Sequence, residues 1–300
     1  MASVRAELIK LIFHYYNMKF KLSELEKFNC SGKRISFISQ DEIFDYILQG
    51  LNPKAIKGVS NRSVYYWKCK QRPIPLKYLF DICKEENINS INVKSIHVNG
   101  GNFICLPCIK NPKLFYLLGL ILGDGCLSIS KKSSNRRSFH LQISFKSKHT
   151  AYKTKKLVKK LFQIESSVYL GDGCYNVCTF SKCLIILLNT KFDVPIGEKY
   201  DLLRVPYIVM RNRKVIPFFI KGLFDSDGNI YQHRGKPAIQ LRQKSRSFLV
   251  GVKDLLLCVG ISIGGPYYDK ANNSWLLWSS KISSVDRFIK DINSLKYTDP

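Results

Sequence analysis

The chain has 300 residues, of which 45% are apolar, so it can bury a core of ordinary size rather than remain disordered. Its charge is unusual: 48 lysines and arginines stand against 22 aspartates and glutamates, giving a formal net charge of +26. The excess is spread along the chain, with 18 basic and 9 acidic residues in 1–113 and 30 and 13 in 114–300. This favours a polyanionic partner, nucleic acid first, over a surface that is merely soluble. No apolar run approaches the ~20 residues that span a bilayer and no signal peptide opens the chain, so we expect an intracellular protein, in the cytoplasm or an organelle matrix, without membrane association.

Residues 1–105 are predicted to form a mainly helical domain, although 1–40 carry no pattern that we can assign. Asp41–Leu51 is a helix candidate. After Asn52 the pattern indicates a short helix, a turn at Gly58, a second helix opening at Ser60 and a further helix after Pro75. Over residues 52–85 this spacing resembles the helix-turn-helix of phage repressors.

The resemblance makes the second helix a recognition helix that contacts DNA. Its predicted DNA-facing residues are Ser60, Asn61, Arg62, Ser63, Tyr66 and Lys68. The alternative is a helical hairpin that only packs, with Tyr65 and Trp67 in its core.

Ten cysteines are present, and we expect free thiols because disulfide frameworks belong to small secreted chains. Cys105 and Cys108 form one CxxC pair, whereas Cys174, Cys178 and Cys183 cluster loosely. A structural zinc site usually shows two clean pairs, so zinc is not favoured.

An internal duplication begins at residue 114. The stretch LFYLLGLILGDG of residues 114–125 matches PFFIKGLFDSDG of 217–228 at five positions, 103 residues apart. LQISFKSK from Leu141 then aligns with IQLRQKSR from Ile239 at an offset of 98, because the first copy has the longer polar loop. We assign the copies to residues 106–200 and 201–300.

Each copy reads as an apolar helix, an exposed loop, an alternating strand, an amphipathic helix, two short strands and a closing helix. The predicted strands are 139–147, 166–171 and 176–181 in the first copy, and 238–243, 265–269 and 274–279 in the second.

The apolar helices end in acid, at Asp124 and Asp227, where the macrodipole makes a carboxylate unfavourable. Gly119 and Gly123, and Gly222 and Ser226 at the matching positions, are small residues on one face, so the two helices should pack on each other. Gly125 and Gly228 suit a left-handed helix end. Two adjacent carboxylates repel, and Mg²⁺ is the natural ion to neutralise them.

These two stretches resemble the motif of the LAGLIDADG homing endonucleases, in the single-chain form with two motifs. The resemblance covers residues 114 to about 295. It implies an α+β fold of two pseudo-twofold-related αββαββα repeats that form a saddle over DNA, and hydrolysis of both strands of a long double-stranded site with Mg²⁺. Asp124 and Asp227 occupy the position of the catalytic acids, and the predicted metal site adds Gly123 and Ser226. The first acidic letter of the motif is Asp225 in the second copy but Leu122 in the first.

The segment KSK of 146–148 aligns with KSR of 244–246. Lys146 and Lys244 resemble the family's active-site lysine, and Gln243 resembles a glutamine found beside it, with Phe145 at the matching position. The alternative is that these lysines are ordinary surface residues of a basic protein. Alternation along the strands predicts further DNA-facing residues. They are His140, Gln142, Ser144 and Lys148 in the first copy, and Gln240, Arg242 and Arg246 in the second.

Three functions share this scaffold. An intein is not expected, because the sequence begins Met1-Ala2 and ends Thr298-Asp299-Pro300. An intron RNA maturase and a non-cleaving DNA-binding regulator both remain compatible with the charge. The presence of both acids favours a site-specific DNA endonuclease that acts as a monomer. Ca²⁺ is expected to support DNA binding without cleavage.

Overall fold

The structure of the chain, a computed structural model, describes residues 18–26, 28, 35–39, 42–52, 56, 58–98, 103–131 and 137–294. The chain divides into two compact units. The first unit comprises residues 1–110 with the short segments 161–164 and 182–186, and the second comprises 111–160, 165–181 and 187–300. No helix in the described ranges is long and apolar enough to cross a bilayer.

The first unit combines helices with a sheet that the sequence patterns did not predict. Its described helices are α1 (Leu22–Glu26), α2 (Glu42–Gly50), α3 (Asn61–Lys68) and α4 (Leu76–Glu85). Its described strands are β1 (Met18–Lys21), β2 (Ile35–Ser39), β3 (Ile74–Pro75), β4 (Ser90–Val98) and β5 (Phe103–Cys105). All described pairings are antiparallel, in the order β1-β4-β2-β3, and β5 also pairs with β4.

The helices predicted at 41–51, from Ser60 and after Pro75 are confirmed as α2, α3 and α4. The short helix expected directly after Asn52 falls largely outside the described residues. The description of this region as mainly helical was incomplete, because the central strand β4 has three consecutive buried residues and so lacks the alternation that marks a strand in sequence.

Aromatic side chains build the core of this unit. Phe28 packs edge-on against Phe20 and Phe37, with ring centroids 6.2 and 5.9 Å apart. Trp67 is buried, as the packing alternative required, but Tyr65 is 59% exposed and does not belong to the core.

The αββαββα repeats are confirmed in residues 112–292. The elements of the first repeat are α5 (Pro112–Asp124), β6 (Gly125–Lys131), β7 (Arg137–Phe145), α6 (Lys148–Phe162), β8 (Ser167–Gly171), β9 (Cys174–Phe180) and α7 (Lys182–Phe192). A short helix, α8 (Tyr207–Met210), and a 3-10 turn at Arg213–Val215 follow. The elements of the second repeat are α9 (Ile216–Asp227), β10 (Gly228–His233), β11 (Lys236–Gln243), α10 (Arg246–Cys258), β12 (Gly264–Asp269), β13 (Ser274–Ser279) and α11 (Ile282–Ile292).

The two antiparallel sheets of these repeats have the same topology, β6-β7-β9-β8 and β10-β11-β13-β12. The exposed loop expected after each apolar helix is in fact a strand, β6 or β10, which begins at the residue after the acid. Each of these strands forms a hairpin with the next strand. Polar side chains on its outer face made the segment resemble a loop in the sequence. The first predicted strand, 139–147, runs from 137 to 145.

Helices α5 and α9 pack backbone to backbone through their glycines. A β-carbon on Gly119 would overlap the carbonyl oxygen of Phe219 and lie 2.5 Å from the amide nitrogen of Leu223. A β-carbon on Gly222 would likewise overlap the carbonyl oxygen of Tyr116. Tyr116 and Phe219 are equivalent positions of the two copies, as are Gly119 and Gly222. Such reciprocal contacts are what a twofold relation between two helices requires.

The predicted left-handed conformation of the glycines after the acids is wrong. Gly125 has φ −88° and ψ 156°, and Gly228 has φ −83° and ψ 165°, so both are extended and begin strands. Glycine is required at both positions because any side chain would clash with neighbouring atoms. A β-carbon on Gly125 would lie 2.6 Å from the carbonyl oxygen of Ile121, and one on Gly228 would overlap the ring of Phe224.

Candidate active site

The two acids end the paired helices side by side. Asp124 is the last residue of α5 and is exposed, whereas Asp227 is the last residue of α9 and is half-buried. A β-carbon on Gly123 would lie 3.0 Å from Oδ2 of Asp227, which shows how closely the second carboxylate approaches the end of the first helix. Packing of α5 on α9 therefore brings both predicted catalytic acids to one place.

A lysine that the sequence analysis missed occupies this place. The ammonium group of Lys199 donates hydrogen bonds to the carbonyl oxygens of Leu122 at 3.0 Å, Gly125 at 2.9 Å and Gly123. The last carbonyls of a helix have no partner within the helix, and a cation there also offsets the dipole. Lys199 thus offsets the unfavourable ending of α5 in acid.

Lys199 also interacts electrostatically with Asp227 and Asp124. Burial lowers the pKa of its ammonium group, and the attraction of the two carboxylates opposes that shift. The site therefore contains two carboxylates and one half-buried cation.

The loop between the repeats positions Lys199. Ile196 forms a bridge to Leu127 of β6, and the amide of Gly197, which has φ +82°, donates to the carbonyl of Leu127 at 2.8 Å. The loop is thereby added to the strand that begins at the acid. The sequence signal for it is weak, since a single lysine in a non-periodic loop has no pattern that links it to the motif.

The predicted residues around the acids differ between the copies. The amide of Gln243, which is only 8% exposed, donates to Oδ2 of Asp227. Phe145, at the matching position, is buried and carries no donor. Lys244 lies with its Nζ 4.4 Å from the centroid of the Tyr200 ring. The two halves of the site are chemically unequal.

An open cleft of about 700 Å³ connects the acid of the first copy with residues of both repeats. Lys146 and Asp124 both line it, so the structure brings this predicted pair together. The other lining residues are Ser144, Phe145, Ser147, Thr150, Cys174, Asp225, Ser226, Asn229 and Ile230.

Asp225, the first acidic letter of the second motif, joins three elements. It accepts hydrogen bonds from the hydroxyls of Tyr116 at 3.0 Å and Ser294 at 2.6 Å. Burial, and then the nearby Asp225 carboxylate, raise the pKa of Tyr116. Leu122, its counterpart in the first copy, is fully buried. Asp225 therefore ties α5 to α9 and to the end of α11.

The donor set around the acids fits Mg²⁺, which proteins usually bind through one or two carboxylates together with water and phosphate oxygens. No group of three or more histidines, cysteines, aspartates or glutamates suited to a metal occurs within the described ranges. The hydroxyl of Ser226 donates to the carbonyl of Leu223 at 2.8 Å. Ser226 would therefore bind a metal through its backbone carbonyl oxygen and not through its side chain. The carbonyl of Gly123 accepts from Lys199 and retains a second lone pair.

Two of the predicted DNA-facing residues of β7, Gln142 and Ser144, form a hydrogen-bonded group centred on Asn176 of β9. Gln142 donates to Oδ1 of Asn176 at 3.1 Å, and Ser144 donates to the same oxygen at 2.6 Å. The hydroxyl of Tyr169 donates to Oε1 of Gln142 at 3.2 Å. His140 lies 2.6 Å from the hydroxyl of Ser128. These side chains are held in fixed orientations.

In the second repeat, Arg242 forms an ion pair with Asp269 at 2.6 Å. Asn272 and Arg242 lower the pKa of Asp269, mainly through hydrogen bonds. Gln240 is half-buried opposite Trp278. Lys148 and Arg246 are exposed at the starts of α6 and α10, and the guanidinium carbon of Arg246 lies 5.4 Å from the Trp275 ring centroid.

In the first unit, the predicted recognition helix α3 begins where the sequence indicated. Ser60 caps it by accepting a hydrogen bond from the amide of Ser63 at 3.2 Å. Asn61 and Arg62 are exposed. Lys68, predicted to face DNA, donates to the carbonyl oxygen of Gln49 at 2.7 Å and so ties α3 to the end of α2.

Comparison with known proteins agrees with this architecture. A family model described as "LAGLIDADG-like domain" matches residues 215–293, the second repeat. The match places a LAGLIDADG-like domain in the second repeat, and the first repeat has the same element order, the same glycine on its first helix and an aspartate at the end of that helix.

Curated relatives share part of this sequence. The chain is 26% identical over 235 residues to a probable translation initiation factor IF-2 of Methanocaldococcus jannaschii, covering 75% of this chain and 18% of the relative. It is 25% identical over 175 residues to a glutamine–fructose-6-phosphate aminotransferase of the same organism, covering 58% and 15%. An elongation factor 2 of Methanopyrus kandleri is 26% identical, with 75% and 17% covered. The chain thus spans less than a fifth of the length of each of these relatives.

Solved structures with some likeness include the homing endonuclease I-DmoI and a LAGLIDADG protein of another kind. The I-DmoI complex with DNA and Ca has a TM-score of 0.49 at 22% identity, covering 62% of this chain and 91% of that chain. The complex with DNA and Mn has a TM-score of 0.47 at 25% identity, covering 60% and 96%. The N-terminal LAGLIDADG domain of DUF199/WhiA has a TM-score of 0.43 at 17% identity, covering 63% and 85%.

Proposed function

We propose that the protein is a site-specific endonuclease that cuts both strands of a long, asymmetric double-stranded DNA target and requires Mg²⁺. The observation that carries this proposal is the convergence of Asp124 and Asp227 at the ends of α5 and α9, with Lys199 interacting with both. A protein that only binds DNA has no need for two acids that oppose their own helix dipoles. The activities named for the curated relatives are unrelated to one another, and none is proposed for this chain.

The chain's own residues supply most of what phosphodiester hydrolysis requires. Asp124 and Asp227 would hold the metal, and Gln243 fixes the orientation of the Asp227 carboxylate. Lys146, in the cleft beside Asp124, places a cation where charge develops on the phosphate. Lys199 attracts both carboxylates at the packed helix ends. Bound Mg²⁺ would lower the pKa of a coordinated water and stabilise the leaving oxygen.

The two sheets of the second unit are the proposed DNA-reading surface. The side chains of His140, Gln142 and Ser144 are oriented by neighbours, and Arg242 is oriented by Asp269. Preorganised polar groups of these types can distinguish base edges. Since the copies carry different side chains at matching positions, we expect an asymmetric target. One chain supplies both acids, so we propose that a monomer acts on one duplex.

The deciding experiment incubates the full chain with Mg²⁺ and a library of duplex DNA, followed by mapping of double-strand ends. The matched control is the double variant Asp124→Asn/Asp227→Asn. Defined ends produced only by the unmodified chain support the proposal. Sequence-specific retention of DNA without ends, in both Mg²⁺ and Mn²⁺, would instead identify a DNA-binding regulator. Promotion of intron splicing without cutting would identify a maturase.

We further propose that α3 of the first unit adds DNA affinity without taking part in the chemistry. Its N-cap at Ser60 and its exposed Asn61 and Arg62 suit a helix whose first turn meets nucleic acid. The ammonium group of Lys68 uses one of its three donors on α2, so the first turn is the part of α3 that we expect to contribute most.

A further inference from the structure

Two arginines of the first unit share one aromatic ring. The guanidinium carbon of Arg72 lies 4.5 Å from the centroid of Tyr66, and that of Arg62 lies 5.6 Å from the same centroid. Arg62 also donates from Nε to the hydroxyl of Tyr66 at 3.2 Å. We call these three side chains the Tyr66 cluster.

The backbone holds the cluster together. Arg62 precedes Tyr66 by one turn of α3, whereas Arg72 follows the end of the helix. Lys70, with φ +54°, reverses the chain, and the amides of Gln71 and Arg72 both donate to the carbonyl of Tyr66, at 3.0 and 3.3 Å. Both guanidinium groups are therefore anchored on one rigid helix end, so little entropy is lost when they engage a ligand.

Within the part of the chain that the structure describes, neither arginine forms an ion pair with a carboxylate, although Asp45 lines a small pocket with Arg72 and is itself paired with Lys70. The neighbouring lysines are engaged elsewhere, because Lys70 pairs with Asp45 at 2.5 Å and Lys68 bonds to Gln49. Two like charges held on one ring repel each other, and an anion between them relieves that repulsion. Each guanidinium has five N–H donors, and only one of the ten is used by Tyr66.

We propose that the Tyr66 cluster binds one phosphodiester group of the DNA backbone, so that Arg62 and Arg72 act as a shared clamp. This rests on the proposed function in that DNA is the substrate. A phosphate has a full negative charge and enough acceptor oxygens to bond to the N–H groups of both guanidinium groups. A base edge is neutral and can accept a bidentate pair of hydrogen bonds from one guanidinium group only. The contact positions the protein and carries no sequence information.

The test measures DNA binding by the full chain in Ca²⁺ over a range of salt concentrations, for a cleaved target and for unrelated duplex. The variants are Arg72→Gln, Arg62→Gln and the double variant, and the control is Lys84→Gln, an exposed lysine of α4. Loss of one phosphate contact lowers the slope of log K against log salt by about 0.9. It weakens binding to both duplexes equally. Because one phosphate is shared, we expect the double variant to lose about one slope unit in total.

Several results would overturn the clamp. One is a double-variant loss of about two slope units, which means two separate contacts. Another is weaker binding to the cleaved target alone, which would mean that the arginines contact base edges. A third is a lower unfolding temperature with unchanged binding, or a Lys84→Gln effect as large as that of Arg72→Gln. If the unmodified chain does not bind duplex DNA at all, the proposed function fails as well. If the unmodified chain cuts DNA and the arginine variants bind it with unchanged affinity and salt dependence, only the clamp is refuted.

Discussion

The ammonium nitrogen of Lys199 lies 2.9 Å from the carbonyl oxygen of Gly125, the residue that follows Asp124. Helix α5 can end in acid because this lysine, from the loop between the repeats, bonds to the carbonyls that the helix leaves without partners. The same cation attracts both carboxylates of the site. Stability of the helix end and chemistry of the site thus depend on one side chain.

We expect Lys199→Met to destabilise the metal-free protein by about 1–3 kcal/mol, because carbonyls that it capped lose their donor. We also expect tighter Mg²⁺ binding, since a cation that attracts both carboxylates and competes with the metal for them is gone. Thermal unfolding at increasing Mg²⁺ measures both effects. The control is Lys253→Met, which removes a lysine bonded to the carbonyl of Gly265 at 2.7 Å, away from the acids. An equal Mg²⁺ dependence in the two variants would show that Lys199 has no influence on the acids.

Asp225 and Asp227 are two residues apart, and we expect opposite phenotypes. Asp227→Asn should lower cleavage by orders of magnitude, because the metal loses a charged ligand, while DNA binding in Ca²⁺ persists. Asp225→Asn should lose about 1–3 kcal/mol of unfolding free energy, because it weakens the bonds from Tyr116 and Ser294, yet it should cut DNA at permissive temperature. Cleavage assays paired with chemical denaturation distinguish the two. Normal cutting by Asp227→Asn would refute the catalytic assignment.

Gly119→Ala should be strongly destabilising, by about 1–3 kcal/mol or more, because its methyl group would meet the backbone of α9, which cannot rotate away. Gly171→Ala is the matched control, because its nearest neighbour would be the Asn176 side chain at an ordinary 3.4 Å. We expect the control to change the unfolding free energy by less than about 0.5 kcal/mol. Similar midpoints in urea for both variants would contradict the backbone contact between the helices.

The first unit should lose stability when the pH falls below 6.5. Burial lowers the pKa of His97 below its ordinary 6.5, so between that value and the folded-state pKa the unfolded chain binds the proton and the folded chain does not. The loss begins near pH 6.5, has a slope of at most about 1.4 kcal/mol per pH unit, and levels off below the folded pKa. Hydrogen exchange of β4 amides follows it. His97→Gln should remove this dependence, and an unchanged pH profile in that variant would assign the effect to another group.

The sequence alone determined the duplicated architecture and the two acids. Gly119, Gly222, Asp124 and Asp227 recur at one spacing in two copies, and a repeated local pattern remains visible without any knowledge of distant contacts. The strands predicted downstream were found within a few residues because their alternation reflects one buried face.

Only the tertiary structure decided what surrounds the acids. Lys199 reaches them from a loop far along the chain, and no periodicity connects that position to the motif. Gln243 was predicted from the family resemblance, but only the structure shows that its amide donates to Asp227. Sequence patterns also failed to predict the sheet of the first unit and strands β6 and β10. These strands are stabilised by pairing with other strands, and their own sequences carry no clear strand pattern. The extended glycines after the acids show the same limit: their need for glycine arises from space against Ile121 and Phe224, which exists only once the chain has folded.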